Sequence, residues 1–275
     1  MKMKNDKVKF KNADCGGKFQ KLGFLITIFI FSFFIFSFQS ASADITTGLV
    51  SHYKLDETLG TTAADSAGTN TGTLTNGPTW TTVKLNNALS FDGLNDYVSV
   101  GTMGSLGSTF ANGNTIALWF KSSVTGTIMN PFGILNTGAK TAIVYRINSG
   151  KAGALNAGYI GFYFRGENGD ETDEINGGVE SNTGITDGKW HHLVFSATPS
   201  ANTMNIYVDG VAKTVDYSHQ ETTSVMANFE FPLTIGARNN RGTIENFTTG
   251  NLDDVRVYNR ALSAGEIKML YNMGR

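Results

Sequence analysis

Cysteine is almost missing from this 275-residue chain: Cys15 is the only one, and there are only four prolines. One thiol excludes an internal disulfide framework and thiol-pair redox chemistry. The chain also lacks the G-x-S-x-G turn of serine hydrolases and the H-E-x-x-H helix of zinc proteases. It has no internal repeat of solenoid length, so a repeat array is excluded too.

The longest apolar run lies near the start. Seven lysines (Lys2, Lys4, Lys7, Lys9, Lys11, Lys18 and Lys21) precede LGFLITIFIFSFFIFSF at Leu22 to Phe38, and the small-residue stretch ASA follows at Ala41 to Ala43. That order is the grammar of a signal peptide, residues 1–43, with cleavage before Asp44. The alternative is an uncleaved anchor, in which case the protein meets the membrane through this segment alone. Removing it takes seven of the 22 basic residues and two of the 23 acidic ones, leaving 15 against 21 and a net charge of −6. An acidic surface of this kind argues against a nucleic-acid partner. Cys15 leaves with the leader, so the exported domain must rely on a large core or a bound ion. The remaining chain of about 230 residues is long enough for one such core.

What is abundant is glycine, 32 residues, together with Thr and Asn. This composition suits short strands joined by tight turns. Period-two segments recur: TIALWFKS (Thr115 to Ser122), TAIVYRIN (Thr141 to Asn148), YIGFYFRG (Tyr159 to Gly166), HHLVFSAT (His191 to Thr198) and MNIYVDGVAKTV (Met204 to Val215). Asp209-Gly210 in the last fits a two-residue type I′ hairpin turn. ALSAGEIKMLYN predicts one closing helix, with Ser263 as N-cap, Glu266 completing a capping box, and Ile267, Leu270 and Tyr271 on one side. Strand runs without alternating helices predict an all-β, two-sheet antiparallel sandwich. Gly60 to Thr82 and the acidic stretch Gly166 to Gly178 read as excursions from it.

Six segments carry a resemblance. LVSHYKLDE, ALSFDGLNDYVSV (Ala88 to Val100), TIALWFKS, DGKWHHLVFSA, NIYVDGV and GNLDDVRVYNRALSAGEI (Gly250 to Ile267) fall in the order seen in laminin-G-like jelly-roll domains of the concanavalin A-like lectin/glucanase superfamily. The resemblance covers residues 44–275 and implies two curved sheets, a secreted or cell-surface location and, often, carbohydrate binding. A fold alone implies no activity.

His191 and His192 invite a metal or a catalytic base. On a strand they point to opposite faces, and one metal would need ligands at i and i+2. No neighbouring Cys or carboxylate supplies zinc-like spacing. The resemblance makes WHH a packing element, with Trp190 in or near the core. His52 and His219 are isolated.

Laminarinase-like hydrolases of the same superfamily carry E-x-D-x-E or E-x-D-x-x-E on one strand, a spacing suited to a retaining pair of carboxyls. ETDEIN offers Glu171 and Asp173, but Ile175 and Asn176 stand where the second glutamate is needed. A non-catalytic domain is therefore expected. The same relatives end in V-D-x-V-R-V-Y, whose Asp contributes to a structural Ca²⁺ site between first and last strands. The match falls on Asp253, with Asp56 or Glu57 as first-strand counterpart and backbone carbonyls completing the shell. Hard oxygen ligands suit Ca²⁺. The alternative is that these carboxylates hydrogen-bond turns or pair with Arg256 or Arg260.

Alternation also predicts a ligand surface. Ile116, Leu118, Phe120, Ile143, Tyr145, Ile147, Ile160, Phe162, Phe164, Ile206 and Val208 form the core phase, which sends Trp119, Lys121, Arg146, Tyr163, Arg165 and Tyr207 to the other side. If their strands share the concave sheet, Trp119, Arg146, Tyr163, Arg165 and Tyr207 make a groove for a glycan or other cell-surface ligand. The alternative is a second packing layer covered by loops. The function expected is glycan binding, with a protein-binding adhesion or assembly domain as runner-up and a glycoside hydrolase third.

Overall fold

A computed structural model describes residues 44–83, 86–102, 113–135, 142–149, 155–165, 174–179, 184–198, 201–221 and 230–274. In chain order its strands begin with β1 (Leu49–Tyr53), β2 (Thr62–Ala63), β3 (Gly72–Thr75), β4 (Thr79–Thr82), β5 (Asn87–Asp92), β6 (Tyr97–Ser99) and β7 (Asn114–Lys121). Next come β8 (Phe132–Leu135), β9 (Ala142–Ser149), β10 (Leu155–Arg165), β11 (Glu174–Val179), β12 (His191–Thr198) and β13 (Thr203–Val208). The series ends with β14 (Val211–Lys213), β15 (Asp216–Glu221), β16 (Thr234–Ile235), β17 (Arg238–Asn240), β18 (Thr243–Glu245), β19 (Thr249–Tyr258) and helix α1 (Ala264–Met273).

These strands form two sheets. The first has eight strands in the order β14-β13-β12-β7-β19-β5-β4, with β1 added on β19. The second has eleven, β15-β11-β10-β9-β8-β16-β6-β3-β2, with β17 on β8 and β18 on β17. Pairing is antiparallel except between β17 and β8. This is the jelly-roll sandwich that the strand pattern and the resemblance both imply.

The core phase read from alternation is the inner layer. Ile116, Leu118 and Phe120 of β7 and Ile206 and Val208 of β13 meet Ile143, Tyr145 and Ile147 of β9 and Ile160, Phe162 and Phe164 of β10 in one buried cluster. Tyr145 stands edge-on to Phe162, ring centroids 5.3 Å apart at 86°, and Phe162 stacks against Phe195 of the facing sheet. Aromatic pairs of this geometry add about 1 kcal/mol each beyond the area they bury. The β13–β14 hairpin turns at Asp209 and Gly210, whose φ angles of 54° and 72° are the positive values a type I′ turn requires.

The outer face of the eight-stranded sheet is covered as well. Helix α1 lays Ile267 and Leu270 on Ala117, Val194, Tyr207 and Tyr258, a second buried cluster on the far side of the sheet from the first. The helix begins as expected: Ser263 accepts from the Glu266 amide while Glu266 reaches back to the Ser263 amide. Arg260 locks this start, bonding Glu266 at 2.6 Å and the main-chain oxygens of Asp44 and Thr47 at 2.7 Å each.

Three expectations need correction. Gly60 to Thr82 is no excursion, because β2, β3 and β4 belong to the sheets. The Gly166 to Gly178 stretch ends in strand, since β11 begins at Glu174 and pairs β10 and β15. Nor do the four outward-facing segments share a sheet. β7 and β13 lie in one and β9 and β10 in the other, so a single groove over Trp119, Arg146, Tyr163, Arg165 and Tyr207 is not formed.

Candidate functional site: a cleft at the junction of the first and last strands

The long strand β19 pairs with β7 on one side and with both β1 and β5 on the other. Its register against β7 slips by one residue between Asp253 and Arg256, and Asp254 takes the left-handed φ of 47°. A bulge of this kind re-aims side chains that a regular strand would alternate. Asp253 and Asp254, adjacent in sequence, consequently open into one cleft.

That cleft has a volume of 650 Å³. Its floor includes Trp119 of β7 and Asp253 of β19, which stand in register, with the buried His192 of β12 in register on the other side of Trp119. Trp119 stacks at 5.8 Å and 23° on Tyr271 of α1, and lies 5.1 Å from the His192 ring. Gly274 packs so closely on the Trp119 indole nitrogen that a Cβ there would stand 2.4 Å from it. Trp190, half-buried, supplies another wall, and Lys54, Asn86 and Met273 mark the exposed rim.

The charges in the cleft are unevenly compensated. Asp254 accepts from His52 Nε2 at 2.6 Å and from Arg256 Nη2 at 3.0 Å. Burial works to raise its pKa, but the His52 hydrogen bond and the Arg256 charge outweigh it and hold the carboxyl below the usual range. Among the described residues Asp253 makes no ion pair with a cation. Burial first, then the charges of Asp254 and Asp56, push its pKa up to about 8, although it accepts from the Asp254 amide. Asp56 enters from beyond β1, where it accepts from Asn86 Nδ2 at 3.2 Å and its main-chain oxygen accepts from Asn87 Nδ2 at 3.0 Å. Asp209 completes the ring, accepting from the His192 amide at 3.0 Å and from His191 Nδ1 at 2.9 Å.

The residues singled out by sequence divide among four places. Trp119, Asp253 and Asp56 come together in the cleft. Tyr207, 8% exposed, lies in the cluster beneath α1, so helix and not loop covers it. Arg146, Tyr163 and Arg165 lie on the outer face of the other sheet. Glu57 turns to the Ala64 amide at 2.8 Å and does not line the cleft. Trp190 is a half-exposed cleft wall and not a core residue. The two histidines do separate: His191 sits between Asp187 and Asp209, while His192 is buried beside Trp119 with its pKa lowered by burial to about 4. Glu171 and Asp173 lie outside the described residues.

Sequence reasoning missed His52, Asp254, Asp209, Trp190 and Tyr271 as a group. Two signals existed. The Asp253-Asp254 doublet breaks alternation in the last strand, and Tyr271 sits on the buried side of an amphipathic helix. What joins them, the bulge and the seating of α1 on the sheet, leaves no mark in a linear pattern.

Comparison with known proteins agrees with this architecture. No curated protein matches the chain. Among solved structures, domain 4 of AbnA, a GH43 extracellular arabinanase from Geobacillus stearothermophilus in complex with arabinotriose, is 19% identical with a TM-score of 0.57, over 81% of this chain and 98% of that one. The botulinum neurotoxin serotype D binding domain is 14% identical with a TM-score of 0.60, over 86% of this chain and 53% of that one. The binding domain of Paraclostridial Mosquitocidal Protein 1 is also 14% identical, with a TM-score of 0.58, over 84% and 53%. This chain therefore spans about half the length of those toxin domains, and at such identities the likeness is one of fold. The sequence pattern of Laminin_G_3 matches residues 91–268, so the chain belongs to that family of the concanavalin A-like lectin/glucanases superfamily.

Proposed function

We propose that the protein is an exported, non-catalytic carbohydrate-binding domain whose ligand enters the cleft between β1, β19 and the end of α1. The observation that supports it is the pairing, within 650 Å³, of the half-buried Trp190, in a wall shared with the Trp119–Tyr271 stack, with the carboxyls Asp56, Asp209 and Asp253. A sugar ring stacks its C–H face on an aromatic while its hydroxyls donate to carboxylates. The arabinotriose carried by the arabinanase domain fits the same reading.

Calcium belongs to this proposal. Among the described residues no group of three His, Cys, Asp or Glu side chains is placed to hold a metal, so the ion would depend on Asp253 and Asp56 with main-chain carbonyls. The chemistry fits, because Asp56 and Asp254 already crowd negative charge onto the buried Asp253. A divalent cation there would let Asp253 ionise and would tie the first strand to the last. The test is a glycan array probed with residues 44–275 in calcium and in EDTA. Binding to defined sugars supports the reading, and silence on sugars with capture of a protein favours an adhesion domain.

A further inference from the structure

Three rings meet where the end of α1 crosses the eight-stranded sheet. Trp119 of β7 and His192 of β12 are cross-strand partners, with ring centroids 5.1 Å apart at 41°. Tyr271 of α1 lies 5.8 Å from the first and 6.2 Å from the second. Trp119 is 7% exposed and His192 1%. Among the described residues neither Trp119 Nε1 nor His192 Nδ1 has a hydrogen-bond partner. A buried polar atom left so has given up its bonds to water for nothing, which makes such atoms uncommon and marks a place where a further group enters. The cover over Trp119 is thin. Gly274 packs so closely that a Cβ there would stand 2.4 Å from Nε1, 2.7 Å from Cε2 and 2.8 Å from Cζ2. It follows α1 with φ −97° and ψ 13°, outside the left-handed conformation in which glycine hydrogen-bonds a helix end shut. Trp119, Met273 and Gly274 all line the cleft, and Met273 is exposed.

From this arrangement we infer that the cleft extends beneath the end of α1 as a subsite for sugar hydroxyls, with Trp119 Nε1 and His192 Nδ1 as its hydrogen-bonding atoms and Gly274 as its cover. The inference rests on the carbohydrate reading of the cleft and names the groups that discriminate within it. An indole N–H only donates, whereas an imidazole Nδ1 donates or accepts according to its tautomer. A hydroxyl does both, so it serves either nitrogen. A deoxy or O-methylated ring leaves a nitrogen unpaired, and a buried polar site rejects an analogue that lacks its hydroxyl for that reason. Trp119 Nε1 meets a ligand only after Gly274 moves off it. Apparent affinity is then the intrinsic affinity scaled by the fraction of molecules whose cover is lifted, so a substitution that lifts the cover tightens binding.

The test is titration calorimetry of residues 44–275 with arabinotriose, xylotriose and cellotriose, the tightest of which becomes the probe. Trp119→Phe keeps an aromatic ring and removes the N–H, so it should weaken binding about tenfold, the scale of one hydrogen bond. His192→Leu should do the same, and His192→Asn, which returns a polar atom near the place of Nδ1, should recover part of the loss. Gly274→Ala sets a methyl group against the indole and holds the cover off, so it should bind the probe about threefold more tightly. It should also speed deuterium exchange at the Trp119 indole N–H with no sugar present, read by NMR as the one of the three tryptophan signals that Trp119→Phe lacks. Where Trp119→Phe or His192→Leu melts far below the parent, Gly274→Ala and the exchange rate decide. Gly274→Ala binding no more tightly than the parent, or a folded Trp119→Phe binding as tightly, while affinity still falls in Trp190→Ala, would overturn the subsite and leave the cleft reading intact. Silence of all three trioses, or binding indifferent to Trp190→Ala, would overturn the cleft reading and the subsite with it.

Discussion

Trp119 and Asp253 face each other directly across the β7–β19 ladder, so the most buried aromatic of the cleft and its most perturbed carboxyl share one floor. Cross-strand neighbours in register hold their Cβ atoms about 5 Å apart. A change in either side chain is therefore felt by the other, and by Tyr271 stacked above.

The first prediction separates the aromatics that sequence alternation placed together. Trp119 is 7% exposed, stacked on Tyr271 and packed against the His192 ring tilted at 41°. Trp119→Ala should cost about 3–5 kcal/mol of unfolding free energy, the scale for truncating a buried aromatic. Tyr163, half-buried on the other sheet, should cost about 1 kcal/mol on truncation. Chemical denaturation of both variants reads this directly; a Trp119→Ala protein as stable as its parent would contradict the stacking described.

How much of this was legible follows from the same two residues. Period-two alternation identifies the inner layer correctly, because which face of a strand is buried is written in every second residue. It says only that Trp119 and Tyr163 are not inward. Whether the other face is open depends on strand order and on what packs outside, and these are set by long-range pairing. Trp119 went under α1, and Tyr163 went to the opposite sheet. The capping box at Ser263 and Glu266 and the turn at Asp209-Gly210 were readable because both are local. The bulge at Asp254, which assembles the cleft, was not.

Stability should fall in mild acid through His192. Its folded-state pKa is lowered to about 4 by burial, whereas the unfolded imidazole titrates near 6.5. As pH drops from 6.5 towards 4 the unfolded chain takes up a proton that the folded chain refuses, and unfolding is favoured by about 3 kcal/mol across that window. Below it the contribution is flat. Asp253, whose raised pKa makes it hold a proton in the folded state over the same range, works in the opposite direction, so the His192 contribution is read as a difference. In chemical denaturation, His192→Gln should gain about 3 kcal/mol of unfolding free energy relative to the parent between pH 6.5 and pH 4, and an unchanged difference would contradict it.

Calcium should raise the melting temperature. If Asp253 and Asp56 hold the ion only in the folded state, a hundredfold excess over the dissociation constant adds about 2.7 kcal/mol. Asp253→Asn should blunt the rise and Glu57→Gln, outside the cleft, should not. Identical melting curves in EDTA and in millimolar calcium would remove the ion from the account.

Export can be checked by intact mass. Material recovered outside the cytoplasm should begin at Asp44, as the basic, apolar and ASA segments in that order predict. A membrane-bound chain still carrying Met1 to Ala43 would show an anchor instead.

The most direct test of the cleft is the affinity of Trp190→Ala for whichever neutral oligosaccharide the parent domain binds best, measured by calorimetry beside its melting temperature. Trp190 is a half-exposed wall and not core, so its loss should leave stability within about 1 kcal/mol. Affinity should fall at least tenfold, about 1.4 kcal/mol. Unchanged affinity at unchanged stability would place carbohydrate binding somewhere other than this cleft.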